Sequence, residues 1–251
     1  MGEHRIETPP RALARVGGVL YLIIIVLGIL GEAFVRGRIV VSGDATTTAA
    51  NLRSLESLWR FGIAGEFTLL VCAIALTLIF YVLLRPVSRD LVLLAVFFNL
   101  VSIAVEATAA LNLDAALFPL GSAEYLAAFR PEQLDAMAIV LIRAHGHGFS
   151  AALIFFGCEC VVLGYLIFRS GYFPQAIGVL MQIAGACYLI NGFALVLDPA
   201  VANRLFPAIL VPSFVGEASL CLWLLVKGVN AEQWSRRQAQ LGARATAPES
   251  P

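Results

Sequence analysis

Residues 61–85, FGIAGEFTLLVCAIALTLIFYVLLR, are apolar from end to end apart from Glu66, Thr68, Thr77 and the closing Arg85. At about 1.5 Å of rise per residue, about 20 such residues cross the hydrocarbon core of a bilayer. The stretch therefore predicts a membrane-spanning helix over Phe61–Leu84. Its end, Tyr81-Val82-Leu83-Leu84-Arg85, sets an aromatic ring and a base where a membrane interface favours both. The same ending recurs at Tyr165–Arg169 and Trp223–Lys227. Further apolar runs predict spans near Val16–Val35, Leu91–Leu113, Gln175–Leu197 and Phe206–Val226, and a fourth helix ending at Phe168. Pro131-Glu132 resembles that helix's start. A helix running unbroken from there outruns a membrane, so it is expected to project beyond it or to bend, with Gly146 and Gly148 as the bend.

Composition agrees. Hydrophobic residues make up 60% of the chain and charged residues 14%, against about half and a quarter in soluble domains. The fold class that follows is all-α: a polytopic membrane helix bundle of six transmembrane helices with both termini on the same side. It occupies residues 16–230, after an N-terminal segment 1–15 and before a polar tail 231–251 expected to fray into solvent. Its partner is the lipid bilayer. Lys and Arg number 17, as do Asp and Glu, so no basic excess points to nucleic acid. Five cysteines lie in apolar segments without CxxC spacing; an odd, unpatterned set argues against a disulfide framework or a zinc ribbon. The first apolar run is too long for a signal-peptide core and leads into Gly31–Arg36 rather than an A-x-A site, so it is expected to stay in the protein.

Orientation is read from the bases. Arg5, Arg11 and Arg15 precede the first helix, tight turns run from Arg85 to Arg89 and from Arg169 to Pro174, and Arg236, Arg237 and Arg244 follow the last helix. With six spans these share one side, which the positive-inside rule makes cytoplasmic. The expectation is a multi-pass membrane protein with both termini cytoplasmic. The opposite side carries long loops. Gly43-Asp44 opens a cap-like run into a short surface helix over Ala49–Trp59, and short helical pieces are expected around Ser122–Tyr125.

A family resemblance emerges from several runs: Ala14-Arg15-Val16-Gly17-Gly18-Val19-Leu20-Tyr21-Leu22, Gly31-Glu32 leading into Val35-Arg36-Gly37, Tyr81–Val87, Gly164–Pro174 and Leu222–Asn230. Together, over roughly residues 14 to 230, they resemble the bacterial membrane family known as domain of unknown function 4386. The resemblance implies a multi-helix membrane protein and supplies no activity, substrate or catalytic residue.

Nearly every span carries an ionisable or amide side chain, which hydrocarbon penalises unless it is paired, hydrated or neutralised. Measured from the bases and turns at the helix ends, Glu159, Glu217, Asn99 and Gln182 lie about 15 Å in, near the midplane. Glu32, Glu66, Glu106 and Asn191 lie about 25–28 Å in, near the far edge, with Arg143, His145 and His147 beyond. Glu32 and Arg36 are i,i+4 neighbours and read as an ordinary ion pair. Glu159 and Glu217 reach neither interface and must be protonated, paired across helices or wetted. These two, with Asn99 and Gln182, are the midplane binding candidates; Glu66, Glu106, Asn191 and Arg143 are the outer ones.

His145-Gly146-His147 looks like a ligand pair, yet residues two apart on a regular helix project to opposite sides. Only a break at Gly146 or Gly148 brings both rings to Glu66, Glu106 and Glu32, a set suited to a divalent transition metal. Gly178, Gly185 and Gly192 recur every seven residues and leave a face for close helix packing, as do Gly62 and Gly65. There is no P-loop, dinucleotide fingerprint, HExxH or G-x-S-x-G, and no catalytic residue stands out. Three readings follow: a binder or transporter of a proton, ion or small solute using intramembrane carboxylates; a structural or accessory protein whose buried Glu, Asn and Gln are interhelical hydrogen-bond partners; and a membrane-embedded metal-dependent enzyme. The midplane carboxylates favour the first.

Overall fold

A computed structural model of the chain describes residues 9–246. Residues 1–8 of the predicted N-terminal segment and 247–251 of the predicted tail lie outside the described residues. The elements are α1 (Pro10–Ile39), α2 (Ala45–Ser54), α3 (Glu56–Leu84), α4 (Arg89–Ala115), two 3₁₀ turns (Phe118–Leu120 and Glu124–Ala128), α5 (Pro131–Ser170), α6 (Gln175–Leu197), α7 (Pro199–Leu205), α8 (Leu210–Val226) and α9 (Ala231–Thr246). No strand occurs among the described residues. Among the described residues, five helices are long and apolar enough to cross a membrane, and six if α7 and α8 are one bent span. Large apolar side chains stay exposed along them, Val71 at 67%, Leu78 at 63% and Val196 at 67% among them. Water would penalise such faces and lipid does not; the fold is a membrane helix bundle.

Local chemistry explains most boundaries. Asp44 caps α2 by accepting from the Thr47 backbone N–H at 2.9 Å and the Thr47 hydroxyl at 2.7 Å, in the cap-like run where a short helix was expected. Those bonds hold its carboxyl below the usual aspartate range. A carboxyl with a lowered pKa contributes stability above its ordinary titration range, and the contribution is lost as pH falls through the lowered value. Proteolysis of the 36–60 loop should accordingly rise in acid, and rise at neutral pH in Asp44→Ala; equal cleavage rates would remove the cap from this role. Asp198 caps α7, accepting from Ala200 N and Val201 N, and Pro199 sits in its first turn.

Three expectations need correction. α5 stays helical from Pro131 to Ser170, through both glycines. Glycine weakens a helix by only about 1 kcal/mol, and Gly148 is spent on packing: a Cβ there would lie 2.6 Å from Ala109 Cβ. The sixth span does not begin smoothly at Phe206; α7 precedes α8 at a 57° bend, at Pro207, whose ring lacks an N–H and restricts the residue before it. The tail does not fray where it is described, because α9 is anchored. The Trp234 indole donates to the Leu83 carbonyl at 3.0 Å and Arg237 donates to the Arg169 carbonyl at 3.4 Å. Trp234→Phe should lower unfolding free energy by about 1 kcal/mol and expose α9 to protease; unchanged cleavage would show that the indole bond does not hold the helix.

The chain forms two compact units. One comprises the described residues through Leu22, Ile74–Leu100 and Ile154 onward; the other comprises Ile23–Ala73 and Val101–Leu153. In the first, the glycines of α5 and α6 meet in register. A Cβ on Gly164 would lie 2.6 Å from the Gly178 carbonyl, and one on Gly185 would lie 2.6 Å from the Gly157 carbonyl. The seven-residue spacing on α6 thus has a matching one on α5, as a small-residue seam requires. Tyr172 donates to the Leu83 carbonyl at 2.7 Å, and burial pushes its hydroxyl above the usual tyrosine pKa. In the second unit, Trp59 is buried among Val35, Ile39, Leu52, Ile63, Leu113, Ala138 and Ile142. Its indole donates to the Leu113 carbonyl at 2.8 Å.

Candidate binding site

The second unit gathers polar side chains from four helices around Arg36. Residues Leu30–Arg36 of α1 form a π-helical turn, with the Gly37 N–H donating to the Glu32 carbonyl five residues back. Such single-turn widenings re-aim side chains and recur at functional sites. Here Arg36 Nε donates to Glu32 Oε2 at 2.7 Å, and Nη1 donates to Glu66 Oε2 of α3 at 3.1 Å. A Cβ on Gly31 would stand 3.8 Å from Arg36 Nη2 and 3.9 Å from Glu66 Oε2, in ordinary contact with the pair. The second Glu66 oxygen faces His145 Nε2 of α5 at 3.7 Å. Glu106 of α4 lies within electrostatic range of Glu66 and Arg36.

Burial grades across the site. Glu66 and His145 are inside, Arg36 is mostly covered, and Glu32 is 74% exposed. The arrangement therefore runs from solvent through a guanidinium to enclosed carboxyl and imidazole groups. Beside Arg36 lies a narrow crevice lined by Gly31, Val35, Trp59, Gly62, Ile63 and Leu113. The Glu32–Arg36 pair read from spacing is present; Glu66 and Glu106 were grouped by depth, and His145, expected to meet them only at a broken helix, faces Glu66 from an unbroken one. What spacing did not reveal is that Arg36 is the hub. Its signal was Gly31 and Gly37 flanking an acid and a base i,i+4 apart inside an apolar run.

The other candidates distribute differently. On the unbroken α5, His145 is buried and His147 exposed, so the two rings do not converge on one ion. Arg143 is exposed as well. Among the described residues, no group of three or more His, Cys, Asp or Glu side chains is arranged to hold a metal ion. Asn191, grouped by depth with the outer carboxylates, is buried in the first unit instead.

That unit holds a second polar group. Glu217 of α8 accepts from Tyr21 Oη of α1 at 3.2 Å and from Tyr188 Oη of α6. Glu159 of α5 is buried within electrostatic range of Glu217, and accepts from the Cys160 thiol at 3.6 Å. Asn99 and Gln182 do not join them: Asn99 donates to Thr77 Oγ1 at 2.7 Å, and Gln182 donates to the Gly178 carbonyl of its own helix at 3.2 Å. The two tyrosines, which sequence reasoning passed over, give Glu217 donors that no base supplies at that level.

Comparison with known proteins adds family but no chemistry. An uncharacterized protein of Archaeoglobus fulgidus is 27% identical over 168 residues, covering 67% of this chain and 84% of the relative. No solved structure matches. The family described as Domain of unknown function (DUF4386) matches residues 16–228, which take in both polar groups and the long apolar helices from within α1 onward. The chain belongs to that family.

Proposed function

We propose that the protein binds, and moves across its membrane, a small ion or solute at the Arg36 site. The observation that supports this is the convergence of Arg36, Glu66, Glu106 and His145 from four helices into one enclosed group. Glu66 and Glu106 against one guanidinium leave one surplus negative charge, Glu32 being exposed. Hydrocarbon tolerates such an excess only with a compensating ligand or bound protons. A purely structural network tends instead to be closed by its own donors, as at Glu217. Interhelical bonding is accordingly the second reading, favoured at the Tyr21–Glu217–Tyr188 and Asn99–Thr77 contacts. The bases Arg85, Arg89, Arg169, Lys227 and Arg236 support an orientation with both termini in the cytoplasm.

The test is transport in liposomes reconstituted with the full chain, probed with radiolabelled sodium and, separately, with a lumenal pH-sensitive dye under an imposed proton gradient. At least one probe should move faster than in protein-free liposomes. That flux should be lost in Glu66→Gln and kept in Glu56→Gln, which alters only an exposed pair with Arg60. Flux equal to protein-free liposomes for both probes, or equal in Glu66→Gln and wild type, would sink the proposal.

A further inference from the structure

In the first unit, four chain segments are tied into one basic surface. The Leu83 carbonyl, near the end of α3, accepts from Tyr172 Oη in the α5–α6 turn at 2.7 Å and from the Trp234 indole of α9 at 3.0 Å. The Asn230 N–H, between α8 and α9, donates to the Tyr172 carbonyl at 3.4 Å. Gly228 turns the chain there with a φ of +66°, and a Cβ on it would lie 3.3 Å from both Arg11 Cγ and the Arg11 carbonyl oxygen. These contacts bring together the start of α1, the α3–α4 turn, the α5–α6 turn and the run from the end of α8 into α9.

Each segment carries bases. Arg11 and Arg15 lie in the first two turns of α1, Arg85 and Arg89 flank the α3–α4 turn, Arg169 is at the end of α5 and Lys227 follows α8. Arg85 is half-buried and the other five are exposed. Among the described residues none of the six forms an ion pair, whereas Arg36, Arg53 and Arg60 of the second unit all meet carboxylates. The acids on the same segments are Asp90 and Glu232, and Glu232 is taken by Arg236 of its own helix. Bases held this close repel one another and draw an anion.

The position of the surface selects which anion. The apolar helices α3, α5 and α8 end on it, and α1, α4 and α6 begin on it, so it lies at the depth of lipid headgroups. The Arg169 guanidinium stands over the Tyr165 ring, 6.0 Å from its centroid, the pairing of base and aromatic that a membrane interface favours. The polar helix α9 is pinned to the helix ends by Trp234 and Arg237 and leaves Arg236 exposed, as a helix lying along a membrane surface does. We propose that this surface binds the phosphate groups of anionic phospholipids, with the six unpaired bases as contacts and α9 as the strap that holds the helix ends in place. The proposal is separate from the Arg36 site and stands whether or not that site carries a solute.

The experiment follows the unfolding temperature of full-length protein in neutral detergent micelles as phosphatidylglycerol is titrated in, with phosphatidylcholine of the same acyl chains as the comparison. A ligand that binds the folded state raises that temperature with its concentration. Phosphatidylglycerol should raise it further than phosphatidylcholine, and high salt should shrink the difference by screening. A base near an anionic surface contributes about five-fold in affinity, so Arg89→Gln combined with Lys227→Gln should weaken the apparent phosphatidylglycerol affinity about 25-fold. Should the pair not fold, Lys227→Gln alone should weaken it about five-fold. Arg130→Gln combined with Arg204→Gln, exposed bases at the opposite ends of α5 and α8, should leave it unchanged. Equal shifts with the two lipids, an affinity unmoved by the Arg89 and Lys227 variants, or an equal loss in the control pair would overturn the proposal. The same stabilisation by inorganic phosphate would make this a free-anion site, and by a single-stranded oligonucleotide a polyanion site; either result overturns the lipid assignment.

Discussion

Replacing Arg36 with methionine is expected to cost about 3–5 kcal/mol of unfolding free energy, the penalty for breaking a covered ion pair by removing one partner. The size follows from what is left behind. Glu66 is enclosed, and without the guanidinium it has only Glu106, another acid, and an imidazole beyond hydrogen-bond distance. Glu32→Gln removes a partner from the same guanidinium but from its exposed side, 74% accessible, where pairs are worth about 1 kcal/mol or less. Denaturant unfolding of both variants in one detergent separates the cases. Similar small losses would mean that Arg36 is an interfacial residue satisfied by solvent.

The second large effect belongs to the seam between α5 and α6. Gly164→Val should destabilise by about 2–3 kcal/mol or prevent assembly, because overpacking a closed contact forces backbone shifts. The first added carbon alone would sit 2.6 Å from the Gly178 carbonyl and 2.8 Å from the Gln182 amide nitrogen, and backbone cannot rotate away as a side chain can. Gly146→Ala on the same helix is the control. A Cβ there meets nothing within 4 Å, so alanine's better helix propensity should leave stability unchanged or raise it by up to about 1 kcal/mol. Thermal unfolding and the yield of monodisperse protein check both. A Gly164→Val protein as stable as wild type would contradict the close packing.

Much of the fold was legible because membrane helices are written in composition and length. Gln175–Leu197 is helical over the residues read from the sequence, and α3 ends at Leu84, where its aromatic and basic ending placed it. Asp44 and Pro131 signalled helix starts through side-chain chemistry that acts locally. The failures are non-local. α9 is polar and looks unstructured alone; its order depends on carbonyls supplied by Leu83 and Arg169, far away in the chain. The π turn at Leu30–Arg36 has no composition of its own. Gly146 and Gly148 looked like a hinge, but a glycine needed for close approach and a glycine needed for bending read alike in one sequence.

The candidate site shows the same division. Counting residues from a helix end gives depth, and depth brought Glu66 and Glu106 to one level, with His145 beyond it. It carries no information about which way a side chain faces around its helix, so it also placed Asn191 with them, and drew Asn99 and Gln182 toward Glu159 and Glu217. Emphasis on the midplane pair followed from the cost of an unpaired carboxylate. The tyrosines Tyr21 and Tyr188 meet that cost at Glu217, and their hydroxyls were invisible as partners without the packing.

That Arg36 and Glu66 belong to one enclosed site, rather than being separate interfacial charges, is tested most directly by a double-mutant cycle. Unfolding free energies are needed for wild type, Arg36→Met, Glu66→Gln and the pair. Residues in contact within one network couple by about 0.5–3 kcal/mol. The expected result is a double variant less destabilised than the sum of the singles by at least about 1 kcal/mol. Additive losses would contradict the convergence on which the proposed binding site depends.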